Sequence, residues 1–392
     1  MRKLLHYIGQ FIKNFFRKGD MLLLMLCLAT SAFGCLIIAS VTNAPKFGSS
    51  TRYIVLQIAA TMIGVVSYAL ISGIDTDFFS EHRRILVVLS AVLFLSLIPF
   101  GTDNNTGNRS WIDLPILPFN IQPAEICKIL YILITASIMA SHQNRASAPM
   151  SVFHVTIYLI VFFLGNWFIS SDLGVSLIFA AIFVGMAFAG GIHWGWIAAG
   201  AGIVGAATPF LLYNFFSEEQ RNRILYVFMP NVIDPEGLDE GWHTTQSLKS
   251  LTGGGFSGQG LFNGNRTQGG NLFAQHTDYI FSSIGEELGF VGCMLVIGLL
   301  LLIIIRCIWV GIHSKDYMRR LVCFGAATAM IFQVISNVGM CIGVTPVIGL
   351  TLPLFSYGGS SIVTTYAMLG LVSGVHARPA PRSHERYIRP PL

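Results

Sequence analysis

Residues 274–305 read AQHTDYIFSSIGEELGFVGCMLVIGLLLLIII. A His276-Thr277-Asp278 triplet stands at the mouth of an apolar run that begins at Tyr279. A helix of about 17 to 25 apolar residues crosses a bilayer, so the run predicts a membrane span. The same signal recurs along the chain and predicts ten spans: 21–42, 54–74, 84–101, 123–141, 152–170, 173–190, 192–213, 279–305, 319–343 and 360–377. The runs are continuous rather than alternating in polarity, which argues against a barrel. The expected fold is an all-α polytopic membrane protein with a large extracytoplasmic loop between helices 7 and 8.

Composition agrees. Of 392 residues, 53% are hydrophobic and 11% charged, with a mean hydropathy of +0.65, against about 25% charged in a soluble domain. Most Lys and Arg fall in segments placed inside when the N-terminus is cytoplasmic; Lys46, Arg52, Arg109, Arg221, Arg223, Lys249 and Arg266 fall outside. That bias places both termini in the cytoplasm. The net charge of +5 thus reports topology and gives no reason to expect nucleic-acid binding. The seven cysteines sit in apolar runs, form no CxxC pair and read as small buried hydrophobes.

The chain divides into a basic amphipathic segment (1–20), helices 1–7 (21–213), the outer loop (214–277), helices 8–10 (278–377) and a basic tail (378–392). The first three spans carry almost nothing ionisable and read as scaffold. Between helices 3 and 4, GNRSWIDLPILPFNIQP brings Arg109, Trp111, Pro115 and Pro118 to the interface. Helix 4 opens Gln122-Pro123-Ala124-Glu125, and Lys128 shares a face with Glu125 at i, i+3. Charges at membrane depth are costly and usually mark function, although a neutralised structural ion pair is the competing reading. Asp172, in Ser170-Ser171-Asp172-Leu173-Gly174, reads as an N-cap.

The outer loop begins with Phe215, Phe216, Ile224, Leu225, Val227 and Phe228 interleaved with Arg221 and Arg223, a pattern that predicts an amphipathic surface helix. Its second half is glycine-rich, yet no strand precedes it and no Lys-Ser or Lys-Thr follows, so it is not a nucleotide-binding loop. A mobile or tightly folded loop beside a site is expected instead. If the eighth span is regular from Asp278, Glu286 lies within about 80° of it and about 12 Å deeper, lining the same cavity, and Glu287 points away. Finally, Thr345-Pro346 and Leu352–Ser361 predict irregular backbone dipping into the bilayer, where it must be buried in protein or line a cavity.

The runs GNRSWID, IQPAEICKI, SSDLGVSL, QRNRIL, GGGFSGQGLFNG, HTDYIFSSIGEELGFVG and PLFSYGGSSIV together resemble the SEDS family of bacterial cell-wall proteins, RodA and FtsW, with QSL and the glycine tract leaning toward the RodA-like branch. The resemblance implies a ten-helix glycosyltransferase of the cytoplasmic membrane that polymerises lipid II on the outer face, with a class B penicillin-binding protein as partner. It implies a catalytic Asp278, with Trp111, Glu125 and Lys128 in family motifs. His276, Thr277, Glu286, Ser356, Gly358 and Gly359 join them as candidate substrate-binding residues. Around Asn271-Leu272-Phe273-Ala274-Gln275 the sequence departs from the Pro-Glu found in many relatives.

The implied reaction joins the 4-hydroxyl of one sugar to the anomeric carbon of another and expels undecaprenyl diphosphate with inversion. It needs a base near the hydroxyl, for which Asp278 is suited, and cations near the diphosphate, for which Arg109, Lys128, Arg221 and Arg223 are candidates. A divalent cation, Mg or Mn, is compatible, but no ligand cluster identifies a tight site. Two other readings fit the sequence, a lipid II flippase and a non-enzymatic scaffold of the wall-synthesis complex.

Overall fold

The computed structural model describes residues 9–10, 13–48, 50–102, 109–113 and 119–378. Half of the expected 1–20 segment, Pro115, Pro118 and nearly all of the 378–392 tail lie outside these residues. The chain is almost wholly helical: α1 Met21–Val41, α2 Ser50–Ser72, α3 Arg83–Phe100, α4 Pro123–Ser141, α5 Pro149–Ser170, α6 Leu173–Ala189, α7 Trp194–Asn214, α8 Glu218–Phe228, α9 Trp242–Gly254, α10 Ile280–His313, α11 Tyr317–Cys341 and α12 Gly359–Ala377. Among the described residues, eight helices are long and apolar enough to cross a membrane, and α6 is a shorter apolar helix. With α12, whose residues are nearly all buried, helices lie at all ten expected positions, eight of them long and apolar enough to cross a membrane.

Acidic N-caps start several of these helices. Asp20 accepts from Leu23 N at 3.1 Å, Asp172 from Val175 N at 3.0 Å and Asp316 from Arg319 N at 2.9 Å. Each satisfies an amide that the helix itself leaves unpaired. Burial sorts the helices. Nearly every residue of α4 and α12 is inside, whereas α7 buries none of its residues. Apolar side chains such as Val88, Ile98 and Ile203 therefore face outward, as they must where the surroundings are hydrocarbon. At the end of the bundle opposite His276-Thr277-Asp278, Arg306 pairs with Asp20 at 2.8 Å, and Arg319 with Asp75 and Asp77 at 3.0 and 3.2 Å.

Of the two states open to the glycine-rich outer loop, mobile or tightly folded, the structure has the second. A further helix, α9, packs against α10 through buried Ser247, which meets Ser282 and donates to Cys341 O at 2.7 Å. One expectation is corrected here, because α10 is not a regular span. Gly289 (φ 67°, ψ −162°) breaks it. The freed backbone groups are taken by the glycine tract: Gln259 N donates to Glu286 O (3.0 Å), Gly260 N to Glu287 O (2.9 Å), and Phe290 N to Gly255 O (3.0 Å). A Cβ on Gly289 would sit 2.6 Å from Phe256 O, and one on Gly258 would strike the backbone of Glu287. That close approach is what the glycines permit.

Candidate active site

Asp278 lies in the turn just before α10, with its side chain half-buried. The turn is closed by Thr277 N and Tyr279 N donating to Ala274 O at 3.0 and 3.2 Å. Four successive carbonyls are then held from outside. Gln275 O accepts from Ser283 Oγ (3.5 Å), His276 O from Tyr357 N (2.8 Å), Thr277 O from Ser356 Oγ (2.6 Å) and Asp278 O from Asn337 Nδ2 (2.8 Å). Asn337 is fully buried and also donates to Leu350 O at 2.7 Å. The irregular 345–358 segment thus clamps His276 and Thr277, Asn337 of α11 holds Asp278, and the Asp278 carboxylate is left to other work.

Burial raises the Asp278 carboxyl to about 6, assisted by the negative charge of Asp172 and opposed by a hydrogen bond from Thr277. Asp172 is therefore more than a cap. Its own carboxyl is also raised to about 6, first by burial, while the amide of Val175 lowers it, Glu125 raises it and Lys128 lowers it. Gln122 Nε2 donates to Asp172 Oδ2 at 3.2 Å, and Gln122 N donates to Ser360 Oγ at 3.1 Å. Behind them Lys128 Nζ meets both Glu125 oxygens at 2.8 Å, and Thr364 Oγ1 donates to Glu125 Oε2 at 2.9 Å. Both members of that pair are buried. A short run of ionisable groups, Lys128–Glu125, Asp172 and Asp278, so joins α4, α6, α12 and the turn before α10.

The remaining candidates are spread more widely. His276 packs edge-on to Phe47 and Tyr53, with ring centroids at 5.0 and 5.5 Å, and lies 5.6 Å from Tyr357. Burial, then Lys46, lowers its pKa to about 4, so it is a neutral packing group near pH 7. Glu286 does not share the Asp278 cavity. Its oxygens accept from Arg266 N (2.7 Å), Thr267 N (3.0 Å) and Thr267 Oγ1 (2.7 Å), and Asp278 precedes the helix, so helical spacing does not relate the two. Glu287 accepts from Ser40 Oγ (2.6 Å) and Gln268 (3.0 Å).

Arg223 pairs with Glu240 at 3.3 Å and borders a small cavity with Tyr226, Thr244 and the 343–347 loop. Arg221 lies 4.0 Å from Glu218 and over the Tyr213 ring. Trp111, half-buried, forms a two-residue strand pair, Trp111–Ile112 with Gly101–Thr102, and Arg109 is exposed beside it. Ser356, buried, serves the Thr277 carbonyl. Gly358 opens α12, and Gly359 lets the Phe119 ring approach its backbone. Among the described residues no group of three or more His, Cys, Asp or Glu side chains converges.

Asp172 is the residue whose role the sequence concealed, since Asp before Leu-Gly-Val is an ordinary cap and only the fold brings it to Asp278. With the geometry in view, relatives place the chain. The family described as cell cycle protein, FtsW/RodA/SpoVE, matches residues 20–380. Peptidoglycan glycosyltransferase MrdB of Escherichia coli K12 is 30% identical over 361 residues, covering 91% of this chain and 93% of the relative. A probable peptidoglycan glycosyltransferase FtsW of Trichlorobacter lovleyi is 31% identical over 365 residues, with the same coverages. A solved chain from work on the structural coordination of polymerization and crosslinking by a peptidoglycan synthase complex matches with a TM-score of 0.75 at 27% identity, covering 95% of this chain and 99% of that one. The rod shape determining protein RodA of Thermus thermophilus matches with a TM-score of 0.67 at 25% identity, covering 92% of this chain and 97% of that one. The chain belongs to the SEDS family of FtsW/RodA/SpoVE membrane proteins.

Proposed function

We propose that this chain is a peptidoglycan glycosyltransferase that polymerises lipid II, with Asp278 as general base. The observation that carries the reading is the clamped turn. Four held carbonyls fix the backbone of Asp278, while its carboxyl is raised to about 6 and is ionised near neutral pH. A base poised near the working pH combines the right protonation state with useful proton affinity, and a fixed backbone reduces the cost of alignment.

In the step proposed, the acceptor 4-hydroxyl oxygen bonds to the donor anomeric carbon as its proton passes to Asp278. The bond from that carbon to the diphosphate breaks on the opposite side, giving inversion. Lys128, held by Glu125, and Arg223, held by Glu240, are the cations proposed to meet the leaving diphosphate. Thr277, Trp111 and Arg109 are the further residues proposed to contact the substrates. The Lys/Arg bias supports an outer-face site with both termini cytoplasmic, and the synthase-complex relative supports a crosslinking class B penicillin-binding protein as partner.

A flippase for the same lipid is favoured only by the buried Glu125–Lys128 pair. Purified protein with its partner, given labelled lipid II in detergent, should make glycan chains. Transbilayer movement in liposomes without chain formation in detergent would replace the enzyme with the transporter.

A further inference from the structure

Lys46 stands in the short connection between α1 and α2, far in sequence from the proposed active-site turn. Its ammonium carries three donors, and each has an acceptor on the segment leading into that turn: Gly270 O at 3.1 Å, Leu272 O at 2.8 Å and Gln275 Oε1 at 3.1 Å. No carboxylate among the described residues pairs with it, so it does not serve as a surface ion-pair partner. Its stem lies over Gly270, where an added Cβ would stand 3.0 Å from Lys46 Cδ and where φ is +70°.

The neighbouring contacts run the same way. Gln275 Nε2 donates to Val41 O (2.9 Å) and Thr267 O (3.0 Å), and Gln268 Nε2 donates to Ser40 O (3.0 Å). The last carbonyls of α1, unpaired within the helix, are thereby capped by Gln268 and by Gln275, the second of which lies in the segment that Lys46 grips. Phe47, next in sequence, packs on His276. Gln275 lies three residues before Asp278, so the end of α1 sets where the turn begins.

We propose that Lys46 is a positioning residue for the reaction: its ammonium holds residues 270–275 against the end of α1 and so fixes the start of the turn that presents Asp278. This rests on the glycosyltransferase reading above. Lys46 touches the chain's own acceptors rather than the substrate, so its loss acts on kcat and spares KM. A small misplacement of a reacting group costs on the order of 10- to 100-fold in rate.

The test compares wild type, Lys46→Met, Lys46→Arg and Gly270→Ala, each with its partner, in lipid II polymerisation, with hydrogen exchange read in parallel. Expected for Lys46→Met is a fall in kcat of about tenfold or more with KM within about twofold, and faster exchange confined to amides 270–278. Lys46→Arg should recover most of the rate, and Gly270→Ala, which presses on the Lys46 stem, should reproduce the loss in part. Wild-type kcat in Lys46→Met, a change in KM alone, or Lys46→Arg as impaired as Lys46→Met would overturn the proposal. A wild type that makes no glycan would instead sink the enzyme reading, and unchanged exchange at 270–278 in Lys46→Met would still count against Lys46 as the holding group.

Discussion

Replacing Asp172 by Asn should move the pH dependence of polymerisation toward acid. Asn is as good an N-cap as Asp, so the bond to Val175 N (3.0 Å) is kept while the charge beside Asp278 is removed. In wild type the Asp278 carboxyl titrates at about 6, chiefly through burial and secondly through Asp172. The rate should therefore rise with pH through about 6 as the base loses its proton. Because Asp172 is the lesser cause, its removal should lower that midpoint by about one pH unit at most. A midpoint moved from about 6 to about 5 raises the ionised fraction at pH 5.5 from roughly a quarter to roughly three quarters. Each protein's rate should be normalised to its own value at pH 8, which separates this effect from any contact Asp172 makes with substrate. The normalised rate at pH 5.5 should then rise up to about threefold. A profile flat from pH 5 to 8 in wild type, or a midpoint that rises in Asp172→Asn, would refute the reasoning.

The same contacts set three further outcomes. Asp278 has a folded-state pKa raised from 3.8 to about 6, so the stability it contributes is present below about pH 4 and lost as pH rises through about 6. Asp278→Asn should consequently melt higher than wild type at pH 8, by about 1–2 kcal/mol once the roughly 3 kcal/mol implied by the full rise is discounted for partial exposure; an equal or lower melting temperature would contradict it. Lys128→Met leaves Glu125 buried without its cation and should cost about 3–5 kcal/mol, with Glu125→Gln in the same chain restoring part of the loss in thermal melts. Glu286→Gln should lower stability by about 2–4 kcal/mol and speed amide exchange over 265–268, because the carboxylate there accepts three hydrogen bonds. Unchanged exchange at those amides would show that Glu286 is free for another role.

The helices at the ten expected positions were legible because apolar runs of bilayer length need no tertiary information, and most observed ends fall close to those expected, as for α4 at Pro123–Ser141, although α10 runs on to His313. Glu125 with Lys128 was legible for a similar reason, since helical spacing alone sets them on one face. The features that escaped depended on contacts remote in sequence. Gly289 breaks α10 because the glycine tract, some thirty residues earlier, supplies substitute hydrogen bonds, and Asp278 sits in a turn held by residues 337–357 rather than in the helix, so the helical-wheel placement of Glu286 beside it failed. Helix α9 was hidden by its Thr, Ser and Gly content, and its burial against α10 overrides weak local propensity. His276 shares a motif with Asp278, yet its aromatic neighbours come from the α1–α2 connection, α2 and the 345–358 segment. Asp172 and Lys46 carried only local signals, a cap and an outside Lys, and their wider roles depend on which elements the fold sets beside them.

The central claim is that the Asp278 carboxylate removes the acceptor proton. Purified Asp278→Asn, folded and bound to its partner as wild type is, should form no glycan chains from labelled lipid II at pH 7.5, where wild type does. Chain formation by Asp278→Asn at near the wild-type rate would contradict the account.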